Sequence, residues 1–351
     1  MEGIFDAIHI PDIKERAEQF GHKLSQVVFD VEIRMNQARD SGHRRYPGPL
    51  MSAYLDALTH ALVRESADEA KKAGDYISII IEDLVGMGRQ DNVTPQDIIP
   101  ILHQIASRFS ALCLEDPWVR KSAGCRGIRI MTCAPDLGVK WINDREVDLV
   151  RTLLHILKDL PFDLPRYVDD VVDVLKRVLR ASNTDLELQT ENALNRTKLL
   201  HLIGIFSSEL SSSNPIVRRA SQTCIDLLVT LSGKPAFELL LPHRDRMLAS
   251  IYTKPLRALP YALQIGMIEA IRYCVSLDPP LAELSEELLR FLHETLATAD
   301  AEDANLLGRG NPRQGAIEIT KLRVACIKLL TASMPMTDFF AKQPLTRQRY
   351  C

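Results

Sequence analysis

The sequence predicts an all-α protein, a helical-repeat solenoid in which paired helices stack into an α-α superhelix. Three observations carry that expectation. Apolar residues recur at spacings of three and four along nearly the whole chain, as helices with one buried face require. Breaks at Pro, Gly and Asn separate segments of helical length, and no two alternating runs are placed to form a hairpin. One short phrase is also written twice, as EDPWVRKS from Glu115 to Ser122 and as SNPIVRRA from Ser213 to Ala220. A repeated phrase points first to a repeat architecture.

The elements follow in order. Ile13, Ala17, Phe20, Leu24, Val27, Val28, Val31 and Met35 place a helix from Asp12 to about Asp40, ended by the loop DSGHRRYPGP (40–49). Helices are expected over Leu50–Arg64 and Asp75–Val85; Ile77 to Ile81 alone would suit a strand but lacks a hairpin partner. Thr94-Pro95 caps a helix to about Cys113, with Ile98, Ile101, Leu102, Ile105, Phe109 and Leu112 on one face. Asn143 is placed as the cap of the next helix, which carries Val147, Val150, Leu153, Leu154 and Leu157. Pro165 opens DLPRYVDDVVDVLKRVLR, and helices follow over about 185–210, 215–232, 235–252, 259–277, 282–298 and 317–333. Between the last two, the polar, Gly-bearing stretch 299–315 is expected to be a mobile loop.

The repeated phrase has a mechanical meaning. Asn214 and Asp116 can accept from orphan backbone N–H groups as N-caps. Pro215 and Pro117 then occupy the first helical position, where a missing N–H costs nothing. Behind Asn214, Val217, Ala220, Cys224, Leu227, Leu228 and Leu231 form one apolar face, Gly233 stops the helix and Pro235 opens the next. Behind Asp116 the pattern degrades: Arg126 stands where Cys224 does, and Gly124 and Gly127 should weaken the helix. A fainter echo runs from Leu322 to Ala325, followed by Cys326, Ile327, Leu329 and Leu330. An Asn/Asp-Pro-x-Val-Arg opening resembles the second helix of a HEAT repeat.

The totals set bounds on function. The chain has 351 residues, 46% hydrophobic and 25% charged, with a net charge of −3. That is an ordinary globular composition with no call for nucleic acid or an anionic membrane. The longest apolar runs are too short to span a bilayer, and the start, MEGIFDAIHIPDIKER, lacks the basic-then-apolar order of a secretory signal. Seven cysteines, an odd and scattered set, suit reduced thiols in cytosol or nucleus.

Runs further along resemble one family. CLEDPWVRKSAGCRGIRIM (113–131), SSSNPIVRRASQTC (211–224), LPHRDRMLASIY (241–252), QIGMIEAIRYCVSL (264–277), ADAEDANLL (299–307) and KLRVACIKLLTA (321–332) resemble, in that order, the transformation/transcription domain-associated protein family. The likeness covers roughly 110–335. It implies a piece of a very large HEAT-repeat scaffold related to the phosphatidylinositol-3-kinase-like kinases, with a kinase-like domain that lacks catalytic residues. It implies membership of SAGA- and NuA4-type histone acetyltransferase complexes, in the nucleus, with transcriptional activators and other complex subunits as protein partners. The resulting division is 1–110 as N-terminal helical repeats, 111–335 as the HEAT repeats and 336–351 as a truncated or frayed tail. The last helix has no following partner, so the segment is expected to belong to a longer array.

The candidate chemical motifs of the sequence are each incomplete. No C-x-x-C exists, and the nearest cysteines, Cys125 and Cys133, are poorly spaced for a metal. The stretch from Gly308 to Gly315 lacks the Gly-Lys-Ser/Thr ending of a phosphate loop. Asp169, Asp170 and Asp173 suggest paired catalytic carboxylates, but they fall in the first turns after Pro165, where acids complement the helix dipole. His43-Arg44-Arg45-Tyr46 and Arg218-Arg219 fit solvated faces, with Arg120 and Arg218 expected to reach acids on a neighbouring repeat. Met131, Met247 and Met267 fit the core. The expected site inventory is therefore empty: no catalytic residues, no cofactor, no metal, and partner contacts made by outward faces. The alternatives are a HEAT adaptor of another class, a transport receptor or phosphatase scaffold, and a helical enzyme.

Overall fold

A computed structural model describes residues 49–63, 67–87, 95–133, 138–160, 166–183, 193–301 and 312–335. The expected helix 12–40, the basic cluster 43–46 and the tail 336–351 lie outside them, as does 302–311 of the expected loop. The described residues contain helices and turns and no strand. The chain divides into two compact units, Met1–Thr184 and Asp185–Cys351.

Among the described residues of the first unit, six helices form three antiparallel pairs: α1 (Pro49–Leu62) with α2 (Ala67–Met87), α3 (Pro95–Cys113) with α4 (Trp118–Cys133), and α5 (Gly138–Asp159) with α6 (Arg166–Ser182). The first helices of the pairs adjoin in the order α1, α3, α5, and the second helices in the order α2, α4, α6. This is the two-layer stacking of a helical repeat. Burial follows the sequence period. In α2, Ile77, Ile80, Ile81 and Leu84 are buried while Ile79 is partly exposed, so the Ile-rich run is a helix face, not a strand. In α6, Val171, Val174, Leu175, Val178 and Leu179 form the inner face. Its C-terminal end is tied to α5 by the buried Glu146, whose carboxylate accepts from Asn183 Nδ2 at 2.6 Å and from Ser182 Oγ. A buried carboxylate is tolerated there because donors satisfy it.

Two expectations fail here. Asn143 does not cap a helix: α5 already runs from Gly138, and Asn143 lies inside its second turn. Cap residues are recognised by being followed by an apolar period, and Ile142 belongs to the same buried face as Leu149 and Val150, so the period began earlier. Gly124 and Gly127 do not merely weaken α4. They let it close on α3: a Cβ on Gly124 would stand 2.6 Å from the Phe109 carbonyl oxygen, and one on Gly127 would enter the Phe109 ring. The helix propensity lost at each glycine, about 1 kcal/mol, is offset by packing that no larger residue permits.

In the second unit α7 (Ala193–Glu209) pairs with α8 (Pro215–Ser232). The α8 start is as expected. Asn214 Oδ1 accepts from Ile216 N at 2.9 Å, Pro215 is the first helical residue, and Gly233 ends the helix at φ 63°, a left-handed conformation that costs glycine little. Residues 235–252 form two helices, not one: α9 (Ala236–Leu240) and α10 (Arg244–Tyr252), with a 3-10 turn over Leu241–His243 between them. Pro242 explains the break, since it has no N–H for the helical ladder. Then come α11 (Tyr261–Val275), α12 (Glu286–Ala299) and α13 (Pro312–Ser333). Both α11 and α12 pack on α13. The inner face of α13 is Ile319, Leu322, Ala325, Cys326, Leu329 and Leu330; its first residue is Pro312, so part of the expected loop is helix.

Candidate functional site

The residues singled out for chemistry are placed as follows. Met131, Met247 and Met267 are buried in the cores of their units. Cys113, Cys125, Cys224, Cys274 and Cys326 are buried free thiols, and Cys133 is exposed. Burial pushes the thiols of Cys125, Cys274 and Cys326 up to about 12 and that of Cys113 further. Thiols so raised are protonated at neutral pH and are poor nucleophiles and ligands. Among the described residues no three His, Cys, Asp or Glu side chains converge on a metal position.

The acids of α6 separate. Asp169 sits in the first turn, where it faces the positive end of the dipole. Asp173 accepts from Arg177 Nε at 2.7 Å and lies 3.9 Å from Arg129 of α4. The Arg177 hydrogen bond, followed by the nearby guanidinium charges, holds its carboxyl below the usual range. A carboxylate so engaged is a structural anchor, not a general base poised near neutrality.

The basic residues correct an expectation. Arg120 pairs with Glu115, five residues upstream, and Arg218 donates from Nη1 to the Ser212 carbonyl at 2.6 Å. Arg218 also feels the charge of Glu269 on α11, in line with the expectation for it, whereas the ion pair of Arg120 stays within its own phrase. In the first unit three bases reach acids on a neighbouring pair: Arg108 meets Asp56, Arg129 meets Asp173, and Lys121 meets Asp159, the most buried of the three contacts. Lys121 Nζ lies 2.8 Å from Asp159 of α5 and 3.2 Å from Asp116, and Asp159 also faces His155 at 3.2 Å. The Asp159 hydrogen bond raises the Lys121 ammonium above its ordinary value, and the same bond depresses Asp159. Lys121 is 5% exposed, and burying an ammonium is tolerated because it is paired. Its one sequence signal was the second base of the repeated phrase.

A groove opens on the first unit between the adjoining second helices α4 and α6. The two run parallel: Trp118 meets Tyr167 near their starts, edge to face with ring centroids 5.6 Å apart, and Cys133 accepts from Arg177 Nη1 at 3.3 Å near their ends. Between these ends Cys125, Val171 and Val174 supply an apolar lining, and Arg126, Arg129 and Asp170 a polar one. The Trp118 indole N–H is covered yet meets no acceptor among the described residues, an arrangement that typically costs about 1–3 kcal/mol. Sequence reasoning missed this groove because its walls come from two helices far apart in the chain. An aromatic at the start of each was the available signal.

The geometry is that of stacked helix pairs with side chains held by neighbours and a surface groove between the second helices of two adjacent pairs. Comparisons with known proteins agree. The family model for the Tra1 HEAT repeat ring region matches residues 1–351. The SAGA complex/NuA4 acetyltransferase complex subunit Tra1 of Schizosaccharomyces pombe is 33% identical over 248 residues, covering 69% of this chain and 7% of that protein. The subunit TRA1 of Saccharomyces cerevisiae is 31% identical over 243 residues, 68% of this chain and 6% of its own length. The human transformation/transcription domain-associated protein is 23% identical over 326 residues, 90% of this chain and 8% of its own length. The match thus spans a small fraction of each relative. With its whole length matched and its helices paired in repeating layers, the chain belongs to the Tra1 HEAT repeat ring family.

Proposed function

We propose that this chain is a non-catalytic scaffold segment of a transcription coactivator subunit, acting in the nucleus within a SAGA- or NuA4-type histone acetyltransferase complex. Its role is to hold protein-binding faces at fixed spacing, for other subunits and for transcriptional activators. The observation that carries the reading is the full-length family match, joined to relatives whose names place them in those two complexes. The architecture supports it: helix pairs bury one face of each helix and leave the other to solvent, so the exposed faces form a continuous surface. A transport receptor or phosphatase scaffold is less well supported, since the relatives named above are coactivator subunits or their animal counterparts.

The test is association. The tagged 351-residue chain, incubated with nuclear extract, is expected to retain histone acetyltransferase subunits identified by mass spectrometry. Recovery of import cargo or phosphatase subunits without any acetyltransferase component would overturn the reading in favour of another adaptor class.

A further inference from the structure

We propose that Cys113 and Cys125 are a latent redox pair, oxidised by a small hydroperoxide to an intrachain disulfide that ties the end of α3 to α4. The inference goes beyond the scaffold reading and does not depend on it. It rests on where the two sulfurs are held. Cys113 is the last residue of α3, and a Cβ on Gly124 of α4 would stand 2.6 Å from its Sγ and 2.8 Å from its backbone N. Cys125 follows Gly124 in the chain, so its Cα lies one peptide unit from that contact, about 3.8 Å. A disulfide needs Cα atoms about 4.4–6.8 Å apart, and two helix backbones in such close approach bring their residues to that range. Gly124 has no side chain to stand between the sulfurs.

Access sets the order of events. Cys113 is 0% exposed, whereas Cys125 is 5% exposed and lines the groove between α4 and α6. The oxidant therefore meets Cys125 first. Its thiolate attacks the peroxide oxygen, the O–O bond breaks, and the sulfur becomes a sulfenic acid while the leaving oxygen takes a proton. The sulfur of Cys113 then attacks that of Cys125, the S–O bond breaks, and the hydroxyl leaves as water with the Cys113 proton. With hydrogen peroxide the balance is two thiols and one peroxide to one disulfide and two waters. Burial makes the first step slow. Together with the charge of Asp170 it pushes the Cys125 thiol up to about 12, Asp173 adding and Arg129 and Arg126 opposing. Burial raises Cys113 further, and the charge of Cys125 adds to it. Few molecules hold the thiolate at neutral pH, so a brief pulse of oxidant leaves the pair reduced. The same burial shields the finished disulfide from a bulky thiol reductant. The pair thus records sustained oxidation, and the link fixes one wall of the groove.

The experiment holds the folded 351-residue chain in hydrogen peroxide, alkylates the remaining thiols and digests with trypsin without reduction. Cleavage after Arg108, Arg120, Lys121 and Arg126 leaves Cys113 and Cys125 in separate peptides, 109–120 and 122–126, so a disulfide is what joins them. Mass spectrometry is expected to find the joined pair after prolonged exposure, and to lose it on reduction with a phosphine. Its formation should be roughly tenfold faster at pH 8 than at pH 7, as the thiolate fraction rises tenfold. Hydrogen exchange in α4 should slow once the link has formed. Two variants test the order of events: Cys113→Ala should leave Cys125 as a sulfenic acid captured by dimedone, and Cys125→Ala should leave Cys113 an unmodified thiol. No joined peptide, a link from either cysteine to Cys133 or Cys351 instead, or a link that forms only in urea-unfolded chain would each overturn the proposal. These readings come from the parent chain and hold even where a variant fails to fold.

Discussion

Helices α4 and α8 open on nearly the same phrase and bury different faces of it. In α8, Val217 is fully buried and the first base, Arg218, is 8% exposed. In α4 the equivalent Val119 is 41% exposed and Arg120 lies on the surface with Glu115. The second base behaves oppositely: Lys121 goes inside at 5% exposure, while Arg219 faces solvent. The buried stripe has turned by one residue, about 100° on a helix of 3.6 residues per turn. The helix starts carry the same offset, α8 from Pro215 and α4 from Trp118, one residue past Pro117. The comparison teaches that a capping phrase specifies where a helix begins, whereas the neighbour it packs on specifies which face goes inside. For α4 that neighbour is Phe109 of α3, reached over Gly124 and Gly127; the equivalent residues of α8 are Gln222 and Ile225.

The sharpest way to break this comparison is to place the same charge at the two equivalent valines. Val217→Asp puts an unpaired carboxylate in a closed core and is expected to cost about 3–5 kcal/mol. Val119→Asp adds a carboxylate to a surface that already holds Arg120, and is expected to stay within about 0.5 kcal/mol. Denaturant unfolding of the full chain followed by circular dichroism measures both. Equal losses would mean that the two helices share one register and that the rotation is wrong.

A second pair separates too much atom from too little. Ile225 is fully buried, so Ile225→Ala leaves a hole and should cost about 2–5 kcal/mol. Gly127→Ala forces a methyl into the Phe109 ring and should cost about 1–3 kcal/mol, despite alanine's better helix propensity. The mechanisms are told apart by a second change. Phe109→Leu makes room for the added methyl, so the double variant should lose less than the sum of its parts, a coupling that a cycle resolves. Strict additivity would show that the glycine serves backbone freedom and not close approach.

How much of this was legible follows from the same contrast. Signals within one helix were readable: the Asn214 cap, the Gly233 stop, the face of Ile77, Ile80, Ile81 and Leu84, and the buried methionines. Signals that depend on a second element were not. Gly124 and Gly127 looked like defects because Phe109 was invisible from their own segment. Arg218 was legible as a base that feels an acid beyond its own pair, Glu269 of α11, but its hydrogen bond to the Ser212 carbonyl was not, because no side-chain pattern announces a backbone acceptor. The groove residues Trp118 and Tyr167 carried no shared period. The break at Pro242 was readable and overlooked, since the apolar spacing continues across it.

The two units also differ in what pH should do to them, and this is the gentlest test of their separate construction. In the second unit His243 lies at the 3-10 corner against α7, where Gly204 leaves space for its ring: a Cβ there would be 2.9 Å from Cε1. Burial lowers its pKa below 6.5, the charges of Arg246 and His201 add to that, and the Leu200 carbonyl opposes it. A folded pKa below the unfolded one means that the unfolded chain takes up the proton first. The contribution of His243 is therefore complete above 6.5 and is lost as pH falls through the lower folded value. In the first unit the Asp159 carboxyl is depressed by Lys121, so its contribution persists above 3.8 and is lost only as pH falls further, through its own folded value. Lys121, raised by Asp159, contributes below 10.5 and loses that contribution as pH climbs through its folded value. Mild acid, from pH 7 toward pH 5, should thus loosen α9 and α10 while leaving the contact between α4 and α5 intact; strong alkali should loosen that contact, and α10 as well, where burial raises the Tyr252 phenol. Hydrogen exchange read by mass spectrometry, corrected for intrinsic rates, follows both segments in one sample. His243→Gln should abolish the acid response of α9 and α10, and Lys121→Met should lessen the alkaline response of α4 and α5, leaving the part that the raised Cys125 thiol contributes. An acid response that survived His243→Gln would assign the corner's sensitivity to another group and remove the histidine from the account.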